Sequence, residues 1–162
     1  MKPTVVSIRP LTGEAEARFC AEFLAASDPW LTLGMTAEQA RARLTNPARE
    51  VYVATVAEAL IGVMVFDLTG VLNGYIQILA VHPEWRGRGV GAQMLVWGEE
   101  RIFRQSPNVF LCVSSFNERA QEFYQRLGYH RVGELPDFLT AGLAEILLRK
   151  TRGAWLAFKP GA

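Results

Sequence analysis

The segment Leu79-Ala-Val-His-Pro-Glu-Trp-Arg-Gly-Arg-Gly-Val-Gly91 constrains this chain more than any other. An apolar run ends at His82-Pro83, and glycines follow at 87, 89 and 91. A helical pattern then begins at once. Gly91, Leu95, Gly98 and Ile102 share one face, leaving Glu99, Glu100 and Arg104 for solvent. Such a strand, tight turn and helix would bring the unpaired N–H groups of a first helical turn to one point, where the helix dipole favours negative charge. The glycines let the backbone approach a bulky anion with no Cβ in the way, and Arg86 and Arg88 add positive charge at the same end. The segment Arg86, Gly87, Arg88, Gly89, Val90 and Gly91 therefore reads as a pyrophosphate cradle. The plain alternative is a Gly-rich turn with surface arginines. The Gly-x-Gly-x-Gly spacing departs from the dinucleotide fingerprint, and no Gly-Lys-Ser/Thr follows to make an ATP- or GTP-binding loop.

Around this segment the chain reads as one domain over residues 1–162, without repeat, low-complexity tract or linker. Half of the residues are apolar and 20% are charged, enough for a packed core and too apolar for a disordered chain. Strands are expected over residues 4–8, 51–56, 60–67, 75–81, 109–114, 129–133 and 143–150. The first is expected to stop at Pro10, and the second and third to form a hairpin. A helix from about Thr12 would present Ala15, Phe19 and Phe23 on one stripe, and another opens at Thr36, whose spacing to Gln39 is that of a capping box. Asn117 is an N-cap for a helix that stripes Ala120, Phe123, Tyr124 and Leu127, with Gly128 as its stop. The order predicts an α/β (α+β) chain: a mixed, mostly antiparallel sheet of six to seven strands with helices on both faces. A net charge of +1 gives no global field for nucleic acid. The single Arg86-Gly-Arg-Gly is neither repeated nor interleaved with aromatics, which sets an RNA-contacting role aside. Cys20 and Cys112 fit no metal-ligand pattern, no metal is expected, and no apolar run reaches the length of a membrane span. The expected setting is the cytoplasm, with no membrane partner.

Two stretches carry a resemblance. Arg86-x-x-Gly89-x-Gly91 after a strand, and Asn117-Glu-Arg-Ala-Gln-Glu-Phe-Tyr124-Gln-Arg-Leu-Gly-Tyr129, stand in the order and separation of the two hallmark motifs of the GCN5-related N-acetyltransferase (GNAT) superfamily. The resemblance implies the GNAT-like acyl-CoA N-acyltransferase fold and acetyl-CoA as cosubstrate. Its sheet is expected to splay between the strand ending at Val81 and the strand over 109–114. The pantetheine arm would pair with the main chain of Leu79, Ala80 and Val81, and the pyrophosphate would rest on the N–H groups from Arg86 to Gly91. Asn117 would touch the arm and Tyr124 the sulfur. The implied reaction is direct attack of a neutral primary amine on the thioester. A main-chain N–H near Leu79 would steady the carbonyl oxygen, and Tyr124 would be the acid for the departing thiolate. Without the resemblance, Tyr124 reads as a core aromatic.

The proton acceptor is where this chain departs from the family pattern. Some members place a glutamate in the strand that here contains Gln77 or in the one that contains Cys112. A water chain, Asp67 or Glu145 remain as alternatives. His82 reads as a turn histidine, and Cys112 as an inert core thiol without a nearby charge. The acceptor side is implied to lie between the first two helices and the last two strands. There Asp28 and Trp30 could hold an ammonium group, or Trp30 could pin its loop to the core, and Asp137 and Phe138 share that ambiguity. A small metabolite or peptide amine is favoured over a polyamine, because no dense acidic cluster is visible. A coenzyme A-binding regulatory module that has lost catalysis is the alternative function. Family members are often dimers, and the apolar tail from Ala154 to Phe158 could cover a partner or fold onto its own subunit.

Overall fold

Seven strands form one mixed sheet in the order β1-β2-β3-β4-β5-β7-β6 in the computed structural model, which describes residues 4–161. The strands are β1 (Ser7–Pro10), β2 (Glu50–Val56), β3 (Ala59–Asp67), β4 (Tyr75–Val81), β5 (Asn108–Ser114), β6 (His130–Pro136) and β7 (Ala144–Thr151). The helices are α1 (Gly13–Ala25), α2 (Trp30–Leu33), α3 (Ala37–Leu44), α4 (Val90–Phe103) and α5 (Glu118–Arg126). All neighbouring strands are antiparallel except β4 and β5. Helices α1 and α3 cover one face through Cys20, Leu24, Ala40 and Leu44 against Val53, Val63, Val65 and Ile78. Helices α4 and α5 cover the other, with Met94, Leu95 and Ile102 packed on Met64, Phe66 and Leu111.

Local chemistry explains most element ends. Thr36 and Gln39 close the capping box of α3: Thr36 Oγ1 accepts from the Gln39 amide at 3.1 Å, and Gln39 Oε1 accepts from the Thr36 amide at 2.9 Å. Four expectations need correction. Strand β1 lies at Ser7–Pro10 rather than 4–8. As the edge strand it tolerates Pro10, whose missing N–H is not needed on the open side. The connection read as a loop holds the single-turn α2, because Asp28 Oδ1 accepts from the Thr32 amide at 3.1 Å and the Thr32 hydroxyl at 2.6 Å. Helix α1 buries Ala17, Cys20, Ala21, Phe23 and Leu24, while Ala15 lies outside and Phe19 sits 41% exposed against the His82 ring.

The fourth correction is Glu99. It is buried rather than solvent-facing, and its carboxylate accepts from the Tyr129 hydroxyl at 3.0 Å and from Lys150 Nζ at 2.8 Å. A buried carboxylate persists when its oxygens are paired in this way.

At the sheet's outer edge, Arg9 chelates Glu16 with bonds of 3.0 and 2.6 Å, and the Thr12 amide adds one of 2.8 Å. The Arg9 guanidinium holds the Glu16 carboxyl down at about 2. An unfolded glutamate titrates near about 4.3, so this stabilisation is present above that pH and is lost as pH falls toward 2. Glu16→Gln is therefore expected to lower Tm at neutral pH and to flatten its decline between pH 4 and 2. Melting curves followed by circular dichroism check this, and parallel Tm–pH profiles for the two proteins would remove the role.

Candidate active site

Strands β4 and β5 pair as parallel neighbours only at Tyr75–Phe110 and Ile76–Leu111, and then part. Gln77 is skipped in the register between β3 and β4, where Val65 faces Ile78 and Phe66 faces Ile76. It is a bulge, which bends a strand and re-aims its side chains. Before the bulge Ile76 joins the α4 side of the core; after it Ile78 and Ala80 join the α1 side. The main chain from Gln77 to Val81 thus has no strand partner toward β5.

Two cavities open into the V between the strands. One runs along Leu79, Ala80 and Val81 to Arg86, Gly87, Gly89 and Gly91. The other, of about 210 Å³, lies over Tyr75, Gln77, Cys112 and Glu145. Leu79, Asn117, Ala120, Tyr124, Pro29 and Trp30 border both.

The first cavity ends in the glycine turn. Gly87 and Gly89 adopt left-handed φ values of 74° and 76°, and a Cβ at either would meet no atom within 4 Å. The positive φ and the open space are what an incoming group requires. The Arg86 amide closes on Pro83 O at 3.3 Å, so the run of amides without a partner among the described residues begins one residue later than expected, at Gly87. It extends to Ala92, since Gln93 is the first to donate back, to Gly89 O at 3.2 Å. Arg86 turns its side chain inward, donating through Nε to Val81 O at 3.0 Å and through Nη2 to Asp28 O at 3.3 Å. It staples the α1–α2 connection to the end of β4. Arg88 lies over the Trp85 ring at 4.8 Å. The motif reading missed two further cations, Arg119 and Arg126, which border this cavity from α5. Their seven-residue spacing, two helical turns, was the available signal.

Helix α5 starts where Asn117 Oδ1 accepts from the Ala120 amide at 3.2 Å. This directs Tyr124 toward both cavities. Among the described residues its hydroxyl has no hydrogen-bond partner, which disfavours the reading of a locally satisfied core tyrosine. Burial raises the phenol well above its ordinary value, so the proton stays on oxygen at neutral pH.

In the second cavity the acidic candidates separate. Asp67 does not border it; Arg49 holds that carboxylate at 3.0 Å, and Thr69 and Gly70 donate to it. Glu145 does border it, with Ser114 Oγ donating to Oε1 at 2.6 Å. Burial raises the Glu145 carboxyl, against the Ser114 hydrogen bond. Cys112 therefore has a charge nearby, contrary to its sequence reading, yet burial and Glu145 both raise its thiol. A protonated thiol is a poor nucleophile. Trp30 borders both cavities, whereas Asp28 reaches only the first and caps α2. Phe138 borders the second cavity, while Asp137 Oδ1 accepts from the Gly142 amide at 2.6 Å within its own loop. His82 caps its turn by accepting from the Glu84 amide at 3.4 Å. Among the described residues no group of three His, Cys, Asp or Glu could hold a metal, and no helix is long and apolar enough to cross a membrane.

Residues 15–129 match the model of the acetyltransferase (GNAT) family. The chain belongs to this family. Its fold is similar to that of the ribosomal-protein-S18-alanine N-acetyltransferase of Escherichia coli, with a TM-score of 0.74 at 12% identity, covering 93% of this chain and 96% of that one. It is similar also to an aminoglycoside 6'-N-acetyltransferase complexed with coenzyme A, with a TM-score of 0.69 at 19% identity, covering 91% and 96%. An uncharacterised protein of Mycobacterium leprae is 28% identical over 153 residues, 92% of this chain but 41% of that protein. The chain thus spans less than half the length of this curated relative. The GNAT match contains both sequence motifs and ends before β6 and β7.

Arg86→Ala should lower stability by roughly 1–3 kcal/mol, since two hydrogen bonds from a charged donor are lost. Cleavage by a protease within residues 28–34 should quicken in parallel. Denaturant melts and timed digestion measure both, and unchanged digestion would mean that Arg86 does not staple the connection.

Proposed function

We propose that this GNAT protein transfers the acetyl group of acetyl-CoA to a primary amine of a small metabolite or peptide, by direct attack with both substrates bound. The observation that carries this reading is the common border of the two cavities: Tyr124 and Leu79 stand where a channel lined by free amides and arginines meets the second cavity. The open φ-positive glycines, the amides from Gly87 to Ala92 and three bordering arginines, Arg86, Arg119 and Arg126, suit a pyrophosphate. The strand edge of Leu79, Ala80 and Val81 suits the amides of a pantetheine arm, which can pair there as an added strand. Coenzyme A bound to the aminoglycoside 6'-N-acetyltransferase, a protein of similar fold, supports the same cosubstrate here.

In this reading Asn117 orients the arm through its side-chain amide N–H₂, because Oδ1 is engaged in the cap. The Leu79 main chain steadies the charge growing on the carbonyl oxygen. Tyr124 holds its proton until the sulfur departs and then gives it up. Direct transfer is favoured over a covalent route through Cys112, whose thiol is held protonated. A binding-only module is disfavoured by the unpartnered Tyr124 hydroxyl facing the same space as a buried carboxylate.

Two variants test the reading. Gly89→Val forces a β-branched residue into left-handed φ and fills the cradle, and should weaken acetyl-CoA binding at least tenfold by calorimetry. Tyr124→Phe should leave that affinity within about twofold and cut turnover about 100-fold, read as thiol release against amines. Absence of heat on adding acetyl-CoA to the wild-type protein overturns the assignment; unchanged turnover in Tyr124→Phe overturns the role of the phenol alone.

A further inference from the structure

Acetyl transfer to an amine has a requirement that the cradle and Tyr124 do not meet. An alkylamine is protonated at neutral pH, and its lone pair attacks only after a proton has left. Gln77 and Cys112 occupy the strand positions where a carboxylate would be the direct solution, and Asp67 is held by Arg49 away from the cavity. Glu145 is different. Strand β7 sets it opposite Ser114 of β5 in register, and the Ser114 hydroxyl fixes Oε1 at 2.6 Å. The residue is 3% exposed, yet it borders the acceptor cavity, and among the described residues Oε2 has no hydrogen-bond partner. Oε2 keeps access to the cavity, whereas Gln77 Oε1, on the same cavity, is a buried acceptor with no partner among the described residues. A buried oxygen left unpaired, as at Gln77, is costly unless a donor arrives from outside the chain.

We propose that Glu145 receives the amino group of the acceptor and takes its proton, and that the acceptor is a primary amine carried on a compact apolar body. This rests on the acetyl-transfer reading above. The cavity of about 210 Å³ is walled by Trp30, Leu33, Met35, Phe138 and Leu139. It is smaller than the usual site for a drug-sized ligand. Among the described residues that border it, Glu145 is the one carboxylate and Arg43 the one cation, so a second ammonium group would meet repulsion and no partner there. The titratable and hydroxyl groups that share the cavity with Glu145 are Tyr75 from β4, Cys112 and Ser114 from β5, Arg43 from α3 and Tyr124 from α5. Burial raises both phenols and the thiol, which leaves them neutral at pH 7, so among the described residues Arg43 is the one other charged side chain bordering the cavity.

The step balances as follows. The ammonium passes one proton to Glu145. The nitrogen lone pair forms the C–N bond, and the C–S bond breaks with its electron pair on sulfur. Tyr124 protonates that sulfur and regains a proton from the acylated nitrogen. Glu145 releases its proton to solvent, so one amide, one thiol and one proton leave.

The test uses the full chain, acetyl-CoA and ring-substituted benzylamines of graded basicity, with spermidine as the contrasting amine. Glu145→Gln keeps an oxygen for Ser114 and should bind acetyl-CoA as the wild type does. It should turn over about 100-fold more slowly, with a deficit that shrinks as the benzylamine becomes less basic. Ser114→Ala removes a hydrogen bond that lowers the Glu145 pKa, so the acid limb of its kcat profile should move to higher pH. Turnover of Glu145→Gln within twofold of wild type, or a deficit equal across the series, overturns the role of Glu145. Spermidine preferred over every benzylamine, or no benzylamine acetylated, overturns the acceptor class. Both leave acetyl-CoA binding intact, whereas a wild-type protein that does not bind acetyl-CoA overturns the acetyl-transfer reading itself.

Discussion

A parallel junction inside an otherwise antiparallel sheet needs a crossover, and α4 supplies it between β4 and β5. The junction then holds for two residue pairs and no more. Its closed end is clamped. The Phe110 amide donates to Gly74 O at 3.0 Å, and the buried Ser106 hydroxyl bonds to the carbonyls of Asn73 and Asn108 at 3.0 and 2.9 Å. Gly74 is irreplaceable in that clamp, because at φ 93° a Cβ would lie 2.2 Å from Asn108 O. With one end fixed, the bulge at Gln77 can turn the strands apart without unzipping the sheet. What opens is a strand edge in the middle of a protein, where backbone groups must find some partner.

That edge organises the elements around it. Helix α5 lies on one side of the opening, the α1–α2 connection on another, and the loop of residues 137–143 over the second cavity. The loop is tied down by the Thr140 hydroxyl, which donates to Leu33 O at 2.6 Å. Arg86 ties the connection to β4 in the same manner. These covers leave two mouths, one rimmed by arginines and one by apolar side chains. The asymmetry supports the assignment of a charged carrier to one mouth and a compact amine to the other.

Legibility in the sequence followed the range of the interactions. The glycine turn, the Thr36 and Asn117 caps and most strand positions rest on neighbours within a few residues, and they could be read directly. Glu99 could not, because its partners Tyr129 and Lys150 come from remote parts of the chain. Nor could the stripe of α1, where Phe19 suits burial by composition and yet meets His82 at the surface. The bulge hides in a run of alternating apolar residues, since skipping Gln77 leaves the pattern of types unchanged while exchanging the faces of what precedes and follows it. Glu145 could only be one of several carboxylates until the β5–β7 register set it against Ser114.

That register also accounts for Tyr129, which closes the second motif without bordering either cavity. Its ring meets Tyr124 edge-on at 5.6 Å, and its hydroxyl is bonded to Glu99, which Lys150 holds in turn. Successive side chains of a strand point to opposite faces, so β7 presents Glu145 to the second cavity and Lys150 to the α4–α5 layer. The proposed proton acceptor and the packing that orients the proposed proton donor are thereby carried by one strand, five residues apart in sequence. A shift of β7 by one residue against β5 would exchange the two faces, withdrawing the carboxylate from the cavity and the ammonium from Glu99 together. The site therefore depends on the pairing of a strand that lies outside both recognition motifs.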